Sequence, residues 1–323
     1  MQYARLGSTG IRVSRICMGT MSFGGEADEE ASARMFHRCR EAGVNFFDTA
    51  DVYKRGRSEE ILGELASSCR DEVVITTKVG MSPGEGNPGG LSRRNIMREV
   101  EQSLQRLRTD RVEVYFCHRF DPDVPVEHTL RAMDDLVRSG KVLHVGVSNW
   151  VAWQIALALG DCARLGLAPI EVLQPMYNLA KRTAEIEILP LAADRRLGVI
   201  TFSPLGGGLL SGKYTSQSRD PQGRLATNKV YQVRYSQEQN FRIAQRLIDY
   251  AARCGVHPAT LAVAWVKSHP AVTAAIVGAR NVEQLEPSLA AGDYDMPPQQ
   301  RDEIAALTPP VPPAHDRNEE QGR

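Results

Sequence analysis

Three segments of similar make-up end in side chains able to share a proton. Val44-Asn-Phe-Phe-Asp48 closes on a carboxylate, Val73-Val-Ile-Thr-Thr-Lys78 on an ammonium and Val112-Glu-Val-Tyr-Phe-Cys-His118 on an imidazole; Tyr53 lies five residues beyond Asp48. Strands neighbouring in one parallel sheet run about 4.8 Å apart, so if these three are consecutive their end groups meet at one edge, with the Tyr53 phenol folded over them. A phenol titrating near about 10 is a poor acid at neutral pH, and a nearby ammonium favours the phenolate. Lys78 is therefore expected to lower the pKa of Tyr53. Asp48 is expected to hold Lys78 charged and aimed, because an unpaired buried cation is costly. His118 is placed to hydrogen-bond an oxygen on which negative charge develops. A proton donor of this kind suits addition of hydride to a carbonyl carbon. No side chain carries a hydride, so the chemistry implies a nicotinamide cofactor. Singly, each residue has an ordinary role: a strand-end Asp caps helices, a loop Lys is solvated, a His satisfies the core. The four types together at one edge point to catalysis.

The elements that must position them alternate. Eight short apolar runs read as strands: Ile16 to Gly19, Val44 to Asp48, Val73 to Lys78, Val112 to His118, Val142 to Val147, Ile170 to Gln174, Val199 to Ser203 and Thr273 to Val277. They lack polar alternation, as strands buried on both faces do. Between them run amphipathic helices. Ala31, Met35, Cys39 and Ala42 recur at helical spacing behind a capping Asp28, with Gly43 as the stop; Ile96, Val100, Leu104 and Leu107 repeat the pattern behind Ser92, and Val126, Leu130, Met133 and Val137 before Gly140. Eight uniform strand–helix units predict a single-domain, closed parallel (β/α)8 TIM barrel. Residues 1–307 form that domain. Tyr3 to Leu6 and Ile11 to Val13 predict a hairpin that plugs one end. Residues 204–235, rich in Gly, Ser, Arg and Lys, read as a long insertion after the seventh strand, followed by two extra helices near Gln237–Arg253 and Pro258–Ser268. The Pro-rich tail, 308–323, is expected to be disordered.

Composition narrows the class. The 323 residues are 42% apolar and carry 39 basic and 39 acidic side chains. A net charge of zero gives no field favouring nucleic acid or an anionic membrane. Six scattered cysteines without a CxxC pair predict reduced thiols in a cytoplasmic protein, with no disulfide framework and no metal site. No apolar run approaches the length of a membrane span.

Taken together, Gly19-Thr-Met, Asn45 to Tyr53, Gly56-Arg-Ser-Glu-Glu60, Thr77-Lys78, His118-Arg-Phe-Asp-Pro122, Gly146-Val-Ser-Asn149, Gln174-Pro-Met-Tyr-Asn178 and Ser203-Pro-Leu-Gly-Gly-Gly208 give the chain a close likeness to the aldo-keto reductases over nearly its full length. The resemblance implies NADPH-dependent reduction of an aldehyde or ketone, with Asp48, Tyr53, Lys78 and His118 as the catalytic tetrad and Tyr53 as general acid. It implies that Ser148, Asn149 and Gln174 hold the nicotinamide carboxamide and that Phe202, by periodicity a core residue, stacks on the ring. Ser203, Leu205, Gly207 and Lys213 would follow the pyrophosphate, with Gly19, Thr20 and Met21 also at the cofactor. The stretch Val277-Gly278-Ala-Arg280-Asn-Val-Glu-Gln284 resembles the family's clamp on the adenosine 2′-phosphate, where Arg280 offers a planar fork and Gln284 a further donor. Where the family has Glu and Asn facing adenine, this chain has Pro287 and Ser288. The preference for NADP over NAD thus falls mainly on Arg280.

No GxGxxG supports a Rossmann fold, and Gly207-x4-Gly212-Lys213 has P-loop spacing but Tyr214 where a Mg²⁺-binding hydroxyl belongs. Phe23, Met81, Phe120 and Trp150, with Tyr53, are expected to line a pocket for a small carbonyl compound or a sugar. Arg219, Arg224, Lys229 and Arg234 could bind an anionic group of the substrate or form a solvated face. The β subunits of voltage-gated potassium channels share the resemblance, so a second reading is a redox-sensing, cofactor-binding partner of a membrane protein with little turnover.

Overall fold

In the computed structural model, residues 1–81, 89–215, 220–221 and 223–315 are described. Strands β1 (Tyr3–Arg5) and β2 (Arg12–Ser14) pair antiparallel as a hairpin. Eight further strands form a closed barrel: β3 (Ile16–Gly19), β4 (Phe46–Asp48), β5 (Val74–Val79), β6 (Val112–Cys117), β7 (Val142–Ser148), β8 (Ile170–Gln174), β9 (Gly198–Thr201) and β10 (Ala274–Val277). Neighbours are parallel and follow chain order, and β10 closes the ring by pairing with β3. The strands are those read from the sequence, Ile16–Gly19 and Ile170–Gln174 with the same bounds and the others shifted at their ends by one or two residues.

Their lack of alternation has a direct cause. Inward-facing Cys17, Phe46, Val74, Val114, Phe116, Val172, Ile200 and Ile276 fill the barrel. Outward-facing Ile16, Met18, Phe47, Ile75 and Tyr115 join a separate cluster with the surrounding helices. Both faces are therefore apolar. Gly146 makes room inside: a Cβ there would sit 2.4 Å from the Phe116 ring.

The hairpin closes one end, since Leu6 and Val13 belong to the inner cluster. Its turn docks on backbone at Gly7 (φ +57°), where a Cβ would come within 2.2 Å of the Gly198 nitrogen. Gly198 opens β9, so the plug lies at the end where strands begin and leaves the other mouth open.

The helix Glu29–Glu41 starts where Asp28 accepts a hydrogen bond from the Ala31 amide at 2.8 Å and buries Ala31, Met35 and Cys39. The helix Arg93–Leu107 starts at Ser92 in the same way. The segment 204–235 is more helical than its composition indicates. Leu209–Lys213 forms a π-helical turn and Arg224–Thr227 and Lys229–Tyr235 form short helices, held by buried Leu209, Leu210, Leu225, Tyr231 and Tyr235. Spaced irregularly among Gly and Ser, those apolar residues give no periodic signal. The helices Glu238–Cys254 and Pro258–Lys267 follow as expected. At the carboxyl end Arg182 donates to the Thr308 hydroxyl at 2.8 Å, so the chain is still docked at Thr308. Arg219 and residues 316–323 of the tail lie outside the described residues.

Candidate active site

Register brings the chemistry together. Asp48 ends β4 opposite Gly19 of β3 and Thr76 of β5, and His118 follows β6 with its amide donating to Val79 of β5 at 2.8 Å. Lys78, fully buried on β5, donates to Asp48 Oδ2 at 2.7 Å and to the Thr49 carbonyl at 2.6 Å. Asp48 Oδ1 accepts from Thr76 Oγ1 at 2.7 Å and Gln174 Nε2 at 2.9 Å. The buried carboxylate thus has both oxygens engaged, the condition under which a buried ion pair is tolerated.

Tyr53 is brought back over this pair by a strained turn. Lys54 and Arg55 are both left-handed, at φ 50° and 55°, before Gly56 at φ 90°. Non-glycine residues adopt that region at a cost of about 1–2 kcal/mol each. The turn is tied down by an ion pair of Lys54 with Glu26 at 2.9 Å. It sets the Lys78 ammonium 5.0 Å from the Tyr53 ring centroid, with the His118 ring edge-on at 6.0 Å.

The electrostatics differ from the sequence expectation in one respect. Burial pushes the Tyr53 phenol above its ordinary value; Lys78 pulls it down, Asp48 raises it further, and the net shift is upward. The expected lowering by Lys78 is therefore only an opposing contribution: in the closed barrel mouth, loss of hydration of the phenolate outweighs one ammonium that already shares its charge with Asp48. For Lys78, burial acts to lower the pKa, but Asp48 and Tyr53 raise it, and the ammonium stays charged. Burial, helped by Lys78 and Arg119, holds the His118 pKa well below the ordinary range, so the imidazole is neutral. Its Nδ1 is buried without a hydrogen-bond partner among the described residues.

A cavity of about 1130 Å³ opens at this mouth. Tyr53, His118, Asp48 and Met81 line one end, and Arg280 and Gln284 the other. Gly19, Met21, Ser148, Asn149, Gln174 and Phe202 also line it, as do Ser203, Leu205, Gly207 and Lys213 of the long segment after β9 and Gly278 after β10. Asn149 donates to the His118 carbonyl at 2.8 Å and Ser148 to the Gln174 carbonyl at 2.9 Å. Asn149 and Ser203 are both left-handed at φ 58°, and such strain is retained where surroundings over-determine it. Tyr214 is buried beside Phe241, so the P-loop spacing is coincidental to a core tyrosine.

Six expected residues stand off the cavity wall. Lys78 is sealed beneath Asp48. Thr20 instead donates its amide to the Asp48 carbonyl at 2.9 Å and bonds Ser58 at 2.7 Å. Phe23 is completely buried in the outer core, because the chain turns at Thr20 and drives that ring inward. Trp150 is buried edge-on against Phe120 at 5.0 Å, and the pair packs beside the mouth. Ser288 is buried on the helix Val282–Ala290, whose turn presents Pro287 to the cavity.

Positioning groups not singled out from the sequence include Thr76 on Asp48. Ser58 and Glu59 open the helix Arg57–Ala66. Ser58 donates to the Thr20 carbonyl at 2.8 Å and bonds Thr49 at 3.0 Å, while Glu59 accepts from Thr77 at 2.5 Å and Arg106 at 2.6 Å. Three strand ends are thereby tied to one helix start. The only signal for this was their place in the Gly56–Glu60 motif.

Residues 15–309 match the model of the Aldo/keto reductase family. The chain belongs to the aldo/keto reductase family. This aldo/keto reductase is 37% identical over 308 residues to the uncharacterized oxidoreductase YrpG of Bacillus subtilis (strain 168), covering 92% of each chain. It is 38% identical to a probable voltage-gated potassium channel subunit beta of Oryza sativa subsp. japonica, over 96% of this chain and 94% of that one. It is 31% identical to versiconal hemiacetal acetate reductase of Aspergillus parasiticus, over 97% and 98%. As a member of this family it is an oxidoreductase that uses a nicotinamide cofactor. Among the described residues no helix is long and apolar enough to cross a membrane.

Proposed function

We propose that the protein reduces an aldehyde or ketone with NADPH, Tyr53 giving its proton to the carbonyl oxygen. The observation that carries this is the Tyr53 phenol beside the neutral His118 imidazole, above a fully buried Lys78–Asp48 pair and on the wall of one large cavity. The residues present fit the cofactor. Gly278 leaves the cavity floor open, its nearest neighbour to an added Cβ being the Gly19 oxygen at 3.6 Å. Gln174 and Asn149 donate through their amide nitrogens within the protein, which leaves their oxygens to accept from a carboxamide. Phe202 offers a ring face, and Lys213 and Arg280 offer charge for phosphates. When bound there, a reduced nicotinamide supplies the hydride.

The chain's own groups then handle the proton. His118, neutral and unable to repel Lys78, donates one N–H to the carbonyl oxygen and fixes its position. Tyr53 stays protonated until charge develops on that oxygen, then releases its proton. The resulting phenolate faces Lys78, whose charge Asp48 sustains. Because the Tyr53 pKa lies above the ordinary phenol value and His118 titrates well below its own, neither group changes state near neutrality. The rate of reduction is expected to stay flat from about pH 6 to about pH 9 and to fall only on the alkaline side. A pH–rate profile checks this; an alkaline limb centred below about pH 8 would place the acid elsewhere.

NADP preference rests on Arg280, half-buried at the far end of the cavity. Arg280→Ala is expected to weaken NADPH by about 10- to 100-fold, a charge-assisted contact, and NADH by less than about twofold. Fluorescence titration with both cofactors reads the difference, and equal losses would put the 2′-phosphate at other residues. Similarity to a channel β subunit supports the rival reading of a regulatory cofactor-binding partner. A panel of aldehydes and ketones decides between the two: NADPH consumption matched by alcohol formation supports the reductase, and tight cofactor retention without turnover supports the partner.

A further inference from the structure

A second buried ion pair lies behind the Tyr53 turn and touches both halves of the proton donor. Glu59 is fully buried on the helix Arg57–Ala66 and divides its two oxygens. Oε1 accepts from the Thr77 hydroxyl at 2.5 Å, and Thr77 precedes Lys78 on β5. Oε2 accepts from Arg106 Nε at 2.6 Å, on the helix Arg93–Leu107. The stem of Arg106 packs against Gly56, where a Cβ would fall 2.6 Å from its Cδ and 2.9 Å from its Nε. Gly56 ends the left-handed run that begins just after Tyr53. The backbone of Arg106 is fixed as well: a Cβ at Gly63, further along the helix from Gly56, would fall 2.6 Å from the Arg106 carbonyl oxygen. On the other side of the turn Lys54 crosses Gly25, where a Cβ would lie 2.0 Å from its Cε, to reach Glu26. Lys54 and Glu26 are 36% and 37% exposed, a setting in which ion pairs contribute little. Arg106 and Glu59 are 19% and 0% exposed and are screened far less. The inner pair is therefore the stiffer support of the turn.

We propose that Arg106 is a positioning residue for proton transfer: held by Glu59, it supports the turn at Gly56 and so sets the spacing of the Tyr53 phenol from the Lys78 ammonium. This rests on the carbonyl-reductase reading with Tyr53 as donor. A run of left-handed residues persists only while its surroundings over-determine it. Without the Arg106 stem the run relaxes and Tyr53 moves off Lys78, and a misplacement of about 1 Å costs about 100-fold in rate. Through Thr77 the same carboxylate also holds the strand that carries Lys78, so one group fixes both partners.

The fold supplies its own control. Arg70 forms the same kind of pair with Glu113 at 2.9 Å, and Glu113 accepts from the Ile75 amide at 2.7 Å, but at the end where β5 begins. Arg106→Met and Arg70→Met each leave a buried carboxylate short of its cation, so both are expected to lower the urea midpoint. At a temperature where both are folded, Arg106→Met is expected to lower kcat by about 10- to 100-fold with NADPH affinity within about threefold, and Arg70→Met to keep kcat within about twofold. In a Tyr53→Phe background Arg106→Met should cost less than about threefold more, because the two changes act on one step. Equal kcat for the two arginine variants overturns the proposal, and so does an undiminished loss in the Tyr53→Phe background. Should Arg106→Met not fold, Glu59→Gln combined with Arg106→Met removes both charges, keeps an acceptor for Thr77 and is read in the same way. If no carbonyl is reduced, or Tyr53→Phe keeps the wild-type rate, the reductase reading fails; a crystal structure of the Arg106 variant then decides the positioning claim. The distance from the Lys78 ammonium to the Tyr53 ring centroid, 5.0 Å in the wild type, is expected to change by about 1 Å or more, and an unchanged distance overturns the proposal.

Discussion

Replacing Tyr53 by phenylalanine is expected to lower kcat for carbonyl reduction by about 100- to 10,000-fold, the range for removal of a general acid. NADPH affinity should change by less than about threefold. The substitution keeps the ring, so its packing over the Lys78 ammonium and beside His118 is retained, and only the O–H is lost. Steady-state kinetics with cofactor titration measure both quantities. A kcat within about threefold of wild type would transfer the donor role to His118.

The second large effect concerns the buried pair. Asp48→Ala removes the acceptor of three hydrogen bonds, from Lys78, Thr76 and Gln174, and leaves an ammonium with no solvent exposure facing one carbonyl and a phenol. Breaking a buried pair in this way costs about 3–5 kcal/mol. Urea unfolding should show that loss as a lower midpoint at constant slope. Removing both charges, as Asp48→Ala with Lys78→Met, is expected to restore part of the stability and none of the activity. A loss below about 1 kcal/mol for the single change would mean that Lys78 is neutral in the folded protein, contrary to its hydrogen bonds.

Those two effects depend on features unequally visible in the sequence. The barrel was legible because its strands are continuous apolar runs and its helices keep their period and caps, as at Asp28 and Ser92. The meeting of Asp48, Lys78 and His118 followed from strand order alone, since consecutive parallel strands put their ends side by side. Three things were not legible. The left-handed pair Lys54–Arg55 has no compositional mark, yet it decides where Tyr53 points. The balance of burial against charge at Tyr53 depends on depth, which residue types do not report. The aromatic pocket was drawn from side-chain type near strand ends, but Phe23 and Trp150 turn into the core, and Tyr231 and Arg234 reach the cavity from an irregular segment more than a hundred residues downstream of the last tetrad member. Long-range packing of that kind follows from the closed fold and from no local pattern.

The positioning residues show the same division. Thr76 lies directly opposite Asp48 in the β4–β5 register and was implicit in the strand pairing. Glu59 and Ser58 bind three strand ends through a helix start, and apart from their place in the Gly56–Glu60 motif their local sequence matches that of ordinary first-turn residues of a helix.

The most direct measurement is a crystal structure of the protein with NADP⁺ and an unreacted carbonyl ligand. The carbonyl oxygen is expected within about 2.6–3.2 Å of both the Tyr53 hydroxyl and a His118 ring nitrogen, with Lys78 still bonded to Asp48 beneath. A ligand whose carbonyl oxygen sits away from Tyr53, or a cofactor held outside the cavity that joins Tyr53 to Arg280, would contradict proton donation by this cluster.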